Sequence, residues 1–522
     1  MNSFNRYCWS HLPSASVVGT TWNNGICLSS AELAKIVSSI VTFEQFNQLV
    51  KGITGHFTII KKVSEGYWVA TDPILHYPLF YKKVKGQITL SDDPIFLTQG
   101  ENIVPDRQAA LFFLQFGATF CNRTLVEGLS IFEPGTITKL SETNIETEHY
   151  VKDYFLSEEN WEHRPDELRD LLDGIFARYL EPFKDRFFAI PLTAGYDSRL
   201  IATMLKKYGI KNVHCFTWGR KDNIETITAS KIASQLGFNY RFIEYNNRLI
   251  ADFDHQEIFS QYMEYAGNYL SMPYMQDYFA VKYLKEQQLI PEDAIFIPGH
   301  TGDVYSGSHQ RPWYQNLSKR EIANEITDHF AITGFKSKPL QKEAILSLLQ
   351  QYLDDAAFSS TQFVDYWDIT VRQARFVARS SSVFQFFGYD VLLPLSDQQF
   401  IRYFFSAPTE MRYNEKIYRD CLVEYFFKPF SVDVNLKAPS DFRKDSGLVK
   451  FLKNNAPQFF KRMYYPLDDD IFYREITQQL INGLGKKEVM IPDFPFSYNS
   501  FLIQWYLYFI FGWDCKNFFR EK

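Results

Sequence analysis

The chain has 522 residues, too many for one hydrophobic core, so two or three domains are expected. Its 55 Lys and Arg against 61 Asp and Glu give a net charge of −6, which argues against a general nucleic-acid-binding surface. Aromatic residues make up 17% of the chain, enough for a well-buried globular core.

In chain order, the first 150 residues read mostly as β-structure. Residues 55–60 and 67–71 are short apolar runs joined by a turn with Gly66, and 78–81 and 87–91 repeat the pattern around Gly86. Such spacing predicts antiparallel hairpins. Residues 108–116 suggest a helix, and Glu133-Pro134-Gly135 a turn. After about residue 165 the rhythm changes. Apolar residues 187–192 predict a strand, and Leu200, Ile201, Met204 and Leu205 one face of a helix stopped by Gly209. Residues 213–217 read as a buried strand. Ile224, Ile227, Ala229, Ile232, Ala233 and Leu236 read as a helix stopped by Gly237, and 240–243 and 294–298 as further strands. This alternation predicts a parallel sheet with helices on both faces. Residues 317–522 are expected to be mainly helical.

The longest apolar stretch, Phe501 to Trp513, contains Gln504 and is too short to cross a bilayer, so a buried C-terminal helix is expected instead. The beginning of the chain has no charged-then-apolar leader pattern. Cys8, Cys27, Cys121, Cys215, Cys421 and Cys515 have neither metal nor redox spacing, so reduced thiols in a cytoplasmic protein are expected.

Two segments carry chemistry. Residues 191–198 read Pro-Leu-Thr-Ala-Gly-Tyr-Asp-Ser, a strand passing through a glycine-bearing turn into a helix. Backbone N–H groups and the helix dipole hold phosphate in that geometry. An acidic Asp197 inside an anion site is reasonable if magnesium bridges it to the phosphates. Residues 298–303 read Pro-Gly-His-Thr-Gly-Asp and follow another strand. Loops at the carboxyl ends of strands converge on one crevice, so Asp197 and Asp303 could share a metal ion there. Taken alone, the first segment is also compatible with an ordinary strand-to-helix turn capped by Asp and Ser. Glu225 suits the first turn of a helix, His300 a plain hydrogen-bonding role, and Asp390 a pairing with Arg375 or Arg379.

These segments together resemble the asparagine synthetase family. Residues 193–198 are similar to its Ser-Gly-Gly-x-Asp-Ser loop, and 298–303 to its Ser-Gly-x-Gly-x-Asp loop. Thr217-Trp218-Gly219 looks like its second nucleotide-contacting strand end, with Glu225 at an acidic position beyond. Asp390 and the segment 394–397 resemble Glu-x-Arg-x-Pro-Phe-Leu-Asp. Lys437 falls near the family's pyrophosphate-contacting lysine, with Lys444 as runner-up. The segments Thr54-Gly55-His56-Phe57, Asp72-Pro73, 78–81 and 124–135 resemble the family's glutaminase domain.

The resemblance implies an α+β antiparallel sandwich over residues 1–155 and an α/β doubly wound synthetase domain with extra C-terminal helices over 156–522. It implies ATP and Mg2+ as cofactors. Leu192, Thr193, Ala194, Gly195, Tyr196, Asp197, Ser198, Thr217, Trp218, Gly219, Glu225 and Gly299 would hold the nucleotide. Asp197 and Asp303 would hold the metal, and Asp390, Lys437 and His300 would serve catalysis. The expected reaction activates a carboxylate as an acyl-adenylate and passes it to ammonia or an amine. The acid is a small molecule or a peptide carboxylate, with no nucleic-acid partner, and a homodimer is the assembly considered.

The departures are specific. Asn2 stands where family glutaminases carry their nucleophilic cysteine, so the chain is not expected to hydrolyse glutamine. His300, Val304 and Leu392 replace two acids and an arginine of the pattern, which puts aspartate as substrate in doubt. Alternatives are a lasso-type peptide cyclase, a relative of β-lactam synthetase, a uronamide-forming enzyme of polysaccharides, or a non-catalytic nucleotide-binding scaffold. A tRNA-modifying pyrophosphatase fits the acidic balance poorly.

Overall fold

The computed structural model describes residues 2–155, 161, 164–221, 223–332, 339–353, 358–436, 472–484 and 498–512. Its first part is antiparallel. Strands β1 (Ser10–Leu12), β2 (Ala15–Asn23), β3 (Ile26–Leu28), β4 (Ile53–Val63) and β5 (Gly66–Thr71) precede β6 (Phe80–Val84), β7 (Gln87–Ser91), β8 (Leu129–Ile131), β9 (Ile137–Ser141) and β10 (Ile145–Glu148). One sheet has the order β1-β2-β4-β5-β9-β10, with β3 paired to β2, and a smaller one has the order β7-β6-β8. Both expected hairpins form, β4 with β5 closing at Val63↔Gly66 and β6 with β7 at Val84↔Gln87. Ile60, Val69 and Leu140 of the larger sheet and Tyr81 and Leu90 of the smaller share one buried cluster. Alternating apolar side chains on facing strands produce this arrangement, because period-2 residues share a face. The helix expected at 108–116 is Arg107–Phe116, capped by Asp106 and ended by left-handed Gly117.

The second part is a parallel sheet of β11 (Phe188–Pro191), β12 (Val213–Gly219), β13 (Asn239–Glu244), β14 (Ile295–Phe296) and β15 (Asp390–Val391), in the order β13-β12-β11-β14-β15. The helix Tyr196–Lys207 links β11 to β12, and Ile224–Leu236 links β12 to β13. The chain builds outward from β11 on one side through β12 and β13, then returns to β11's other edge as β14. The order therefore reverses between β11 and β14, and the loops leaving those two strands open a crevice at that point. Strand β15 lies in the stretch expected to be helical. Two residues carry no readable periodicity, and only the pairing Phe296↔Val391 makes them a strand.

The C-terminal helix Tyr498–Phe511 is buried along Phe501 to Leu507, as its apolar sequence requires. No helix among the described residues is long and apolar enough to cross a membrane. Cys215 and Cys421 are buried free thiols, Cys8 is exposed, and Cys515 lies outside the described residues. The antiparallel and parallel parts are joined by a buried reciprocal pair. Gly55 N donates to Gln398 Oε1 at 2.8 Å and Gln398 Nε2 donates to Gly55 O at 2.7 Å.

Candidate functional site

The turn after β11 is held from within. Thr193 N donates to Ser198 Oγ at 3.1 Å, and Gly195 N donates to Thr193 Oγ1 at 3.1 Å. Leu192 N bonds Phe216 O at 2.9 Å, and the Thr217 hydroxyl donates to Leu192 O, so β12 fixes where the turn begins. Glu225 acts on the turn directly: its Oε2 accepts from Ala194 N at 2.7 Å. The helix Tyr196–Lys207 begins at Gly195 with no side-chain cap. Its first N–H groups therefore lack the usual internal acceptor and carry the positive end of the dipole into the crevice.

The second loop is pressed onto this helix start. A Cβ on Gly299 would stand 2.5 Å from Ser198 N, and one on Gly302 would stand 2.8 Å from Asp197 Oδ2. Only glycine permits that approach. Asp303 N donates to Asp197 Oδ2 at 3.1 Å, and Tyr418 OH donates to Asp197 Oδ1 at 2.9 Å. The two carboxyl-bearing residues expected from sequence thus meet across the switch point. Burial, then the charge of Asp303, push the Asp197 carboxyl well above the usual carboxylate range. Thr301 between them takes a left-handed φ of +74°, unusual for a β-branched residue. Its hydroxyl bonds Ser396 Oγ at 2.7 Å, which ties the 394–397 segment to the loop.

Of the other residues singled out, Trp218 is half-buried beside Phe216, and Gly219 ends β12 with its carbonyl accepting from Tyr245 N at 2.9 Å. His300 is half-buried, its Nε2 3.3 Å from Ser380 Oγ, and desolvation drives its pKa down to about 4. A base that weak accepts a proton poorly at neutral pH. Asp390 is not brought to the crevice. It opens β15 in register with Ile295, at the amino end of the sheet, where it is exposed and paired with Arg186 at 2.9 Å. Neither Arg375 nor Arg379 is the partner seen, because both are buried elsewhere, Arg375 against Thr119 and Cys121 and Arg379 against Tyr7 and Tyr265. Lys437 and Lys444 lie outside the described residues.

Three neighbours were not legible in sequence. Tyr418 reaches Asp197 from a helix more than two hundred positions away. Glu415 lies within electrostatic range of Asp303 and pairs with Arg419 at 3.1 Å; burial raises its carboxyl. Arg199, fully buried, donates to Ala194 O at 2.9 Å and to Val432 O at 2.8 Å, lashing the turn to the segment before residue 437. A charged residue on an otherwise apolar helix face was the one available signal for it. Among the described residues no group of three His, Cys, Asp or Glu side chains forms a metal cage. Asp197 and Asp303 could hold a divalent cation only by sharing it with ligand oxygens.

A parallel sheet with an uncapped helix start and paired carboxylates at its switch point defines an α/β domain of the nucleotide-handling class. The asparagine synthase family model matches residues 167–428, half of the chain, and the chain belongs to that family. Membership supports an ATP-dependent amidating carbon–nitrogen ligase as the general class, with a carboxylate and an amine or ammonia as substrate types. Comparison with curated proteins finds no match to this chain.

Proposed function

We propose that the protein activates a carboxylate by adenylation and transfers the acyl group to ammonia or an amine. The observation that carries this reading is the contact of Asp303 N with Asp197 Oδ2 beside the uncapped helix start. A substrate carboxylate oxygen attacks the α-phosphorus of ATP, the bond to the β-phosphate oxygen breaks, and pyrophosphate leaves. The amine nitrogen then attacks the acyl carbon, the bond to the AMP oxygen breaks, and the nitrogen's proton passes to solvent. Little covalent work falls to the chain; positioning and charge neutralisation dominate such transfers.

Thr193, Gly195, Tyr196 and Ser198 would receive the departing pyrophosphate, with Leu192, Ala194 and Gly299 shaping the turn. Glu225 holds the turn's backbone and so shapes the nucleotide's cradle. Thr217, Trp218 and Gly219 would line the nucleotide's path at the end of β12. Asp197 and Asp303 would hold magnesium, which supplies charge neutralisation for the phosphates. Its fit rests on Asp197 itself, a buried carboxyl destabilised by a second one, whose ionised form a cation would restore. Lys437, or Lys444, would offset charge on the leaving group.

We assign residues 1–155 to a degenerate glutaminase-like domain and 156–522 to the synthetase. Asn2 accepts from Leu90 N at 2.9 Å and donates to Tyr67 OH at 3.3 Å, so its side chain serves packing. The reading places the protein in the cytoplasm, where its free thiols would stay reduced. The test is AMP and pyrophosphate release from Mg-ATP with a panel of carboxylates and ammonium or amines. Asp197→Ala and Asp303→Ala should each lower the rate by ~100-fold or more, and glutamine should yield no glutamate. AMP formation undiminished in Asp197→Ala would sink the scheme.

A further inference from the structure

A cavity of about 340 Å³ is lined by Phe116, His309, Trp367 and Arg372, and nothing above uses it. Its walls include Phe330, Trp367 and Phe376, with Arg372, His309 and Asn499 as polar lining. Trp367, Arg372 and Phe376 come from or adjoin a wide π-helical stretch, Asp368–Val377, a geometry that recurs at functional sites. The volume is at the lower end of small-molecule sites, suited to an amino acid or a compound of that size.

The polarity of the lining is one-sided. The acid beneath it, Asp368, is already engaged. It bonds His309 Nδ1 and accepts from Gln373 Nε2 at 2.8 Å. Burial would raise its carboxyl, but His309 and Arg372 hold it below the ordinary value. Arg372 stands 4.0 Å from Asp368, beyond hydrogen-bond reach, and its guanidinium lies over the Phe330 ring at 5.6 Å. The lining itself contains no carboxylate, and Arg372 is its one permanently charged group. His329, also in the wall, is driven down to about 4 by burial and then by Arg311, so it stays neutral. Aromatic walls beside a guanidinium select an anion with an apolar body.

A backbone bond links one edge of the cavity to the site described above. Ser308 N donates to Asp303 O at 3.0 Å, His309 follows directly, and Glu415 lies within electrostatic range of both Asp303 and His309.

We propose that this cavity binds a small organic carboxylate with an apolar, aromatic-sized body, held by Arg372. That it serves the organic substrate rests on the ligase reading; that it binds such a carboxylate does not. The experiment is calorimetric titration of the full chain, without ATP, with 3-phenylpropionate, L-phenylalanine and phenethylamine. The two carboxylates should bind and the amine should not. Arg372→Met should weaken the carboxylates by ~10-fold or more, the cost of one charge-assisted contact, and Arg372→Lys should recover part of the loss. Asp197→Asn, which should stop adenylation, should leave this binding unchanged, so the two readings fail separately. No saturable binding of either carboxylate below about 10 mM would overturn the proposal. So would wild-type affinity in Arg372→Met, or phenethylamine binding as tightly as 3-phenylpropionate.

Discussion

Gly299→Ala tests whether the two loops act as one site. Gly299 has an ordinary backbone conformation, so alanine brings no torsional penalty there. The obstacle is contact alone: the new methyl would stand 2.5 Å from Ser198 N, 2.9 Å from Ser198 Cα and 3.1 Å from the Asp197 carbonyl carbon. All three are backbone atoms, so no side chain can swing aside. Relief to van der Waals distance needs the loop and the helix start to part by ~1 Å. Overpacking of this kind costs ~1–3 kcal/mol of stability. A displacement of ~1 Å between reacting groups costs on the order of 100-fold in rate. We expect Gly299→Ala to lower the melting temperature by several degrees and to lower AMP formation far more than its stability loss explains. Gly174→Ala is the control. That glycine lies inside the helix Pro165–Leu180 with nothing within 4 Å of its added methyl, so alanine should stabilise the fold by ~1 kcal/mol and leave the rate alone. Differential scanning calorimetry and a pyrophosphate-release assay on both variants decide the matter. A Gly299→Ala protein with wild-type rate would refute the idea that the loops are held in contact for catalysis.

Asp390→Ala should change activity by less than ~3-fold, because its carboxylate is exposed at the amino end of the sheet; a ~100-fold loss in pyrophosphate release would put it back in the site. Gln398→Ala should cost ~2–3 kcal/mol in denaturant unfolding by orphaning the buried N–H and carbonyl of Gly55, and an unchanged midpoint would contradict that pairing. Asp277 is buried, with Oδ1 lacking a partner, and burial raises its pKa to about 7. A raised folded-state acid pKa means stability fully present below the unfolded value of about 4 and lost as pH rises through 7. Asp277→Asn lacks that loss, so its stability advantage over wild type should widen by roughly 2 kcal/mol between pH 5 and pH 8; a constant difference in urea midpoint would refute the assignment.

Local pattern settled the hairpins and the first strand–turn–helix unit of the parallel sheet. Alternation at 55–71 and 78–91 is a short-range property and specified both hairpins. The run into Thr193, Ala194 and Gly195 specified a strand, a turn and a helix start because each step depends on neighbouring residues. The partnership of Asp197 with Asp303 was also legible, since each follows an apolar strand and such strand ends share one crevice. What the tertiary structure decided was position relative to the sheet's two ends. Asp390 and Pro394 lie four residues apart in one apolar segment, yet β15 runs between them, leaving Asp390 at the amino end with Arg186 while Ser396 reaches Thr301 at the carboxyl end. Tyr418 contacts Asp197, and Arg375 bonds Thr119 rather than Asp390, through chain separations that no periodicity encodes. The raised Asp197 carboxyl and the neutral His300 likewise arise from desolvation, which sums over every neighbour and is set only when the fold closes around them.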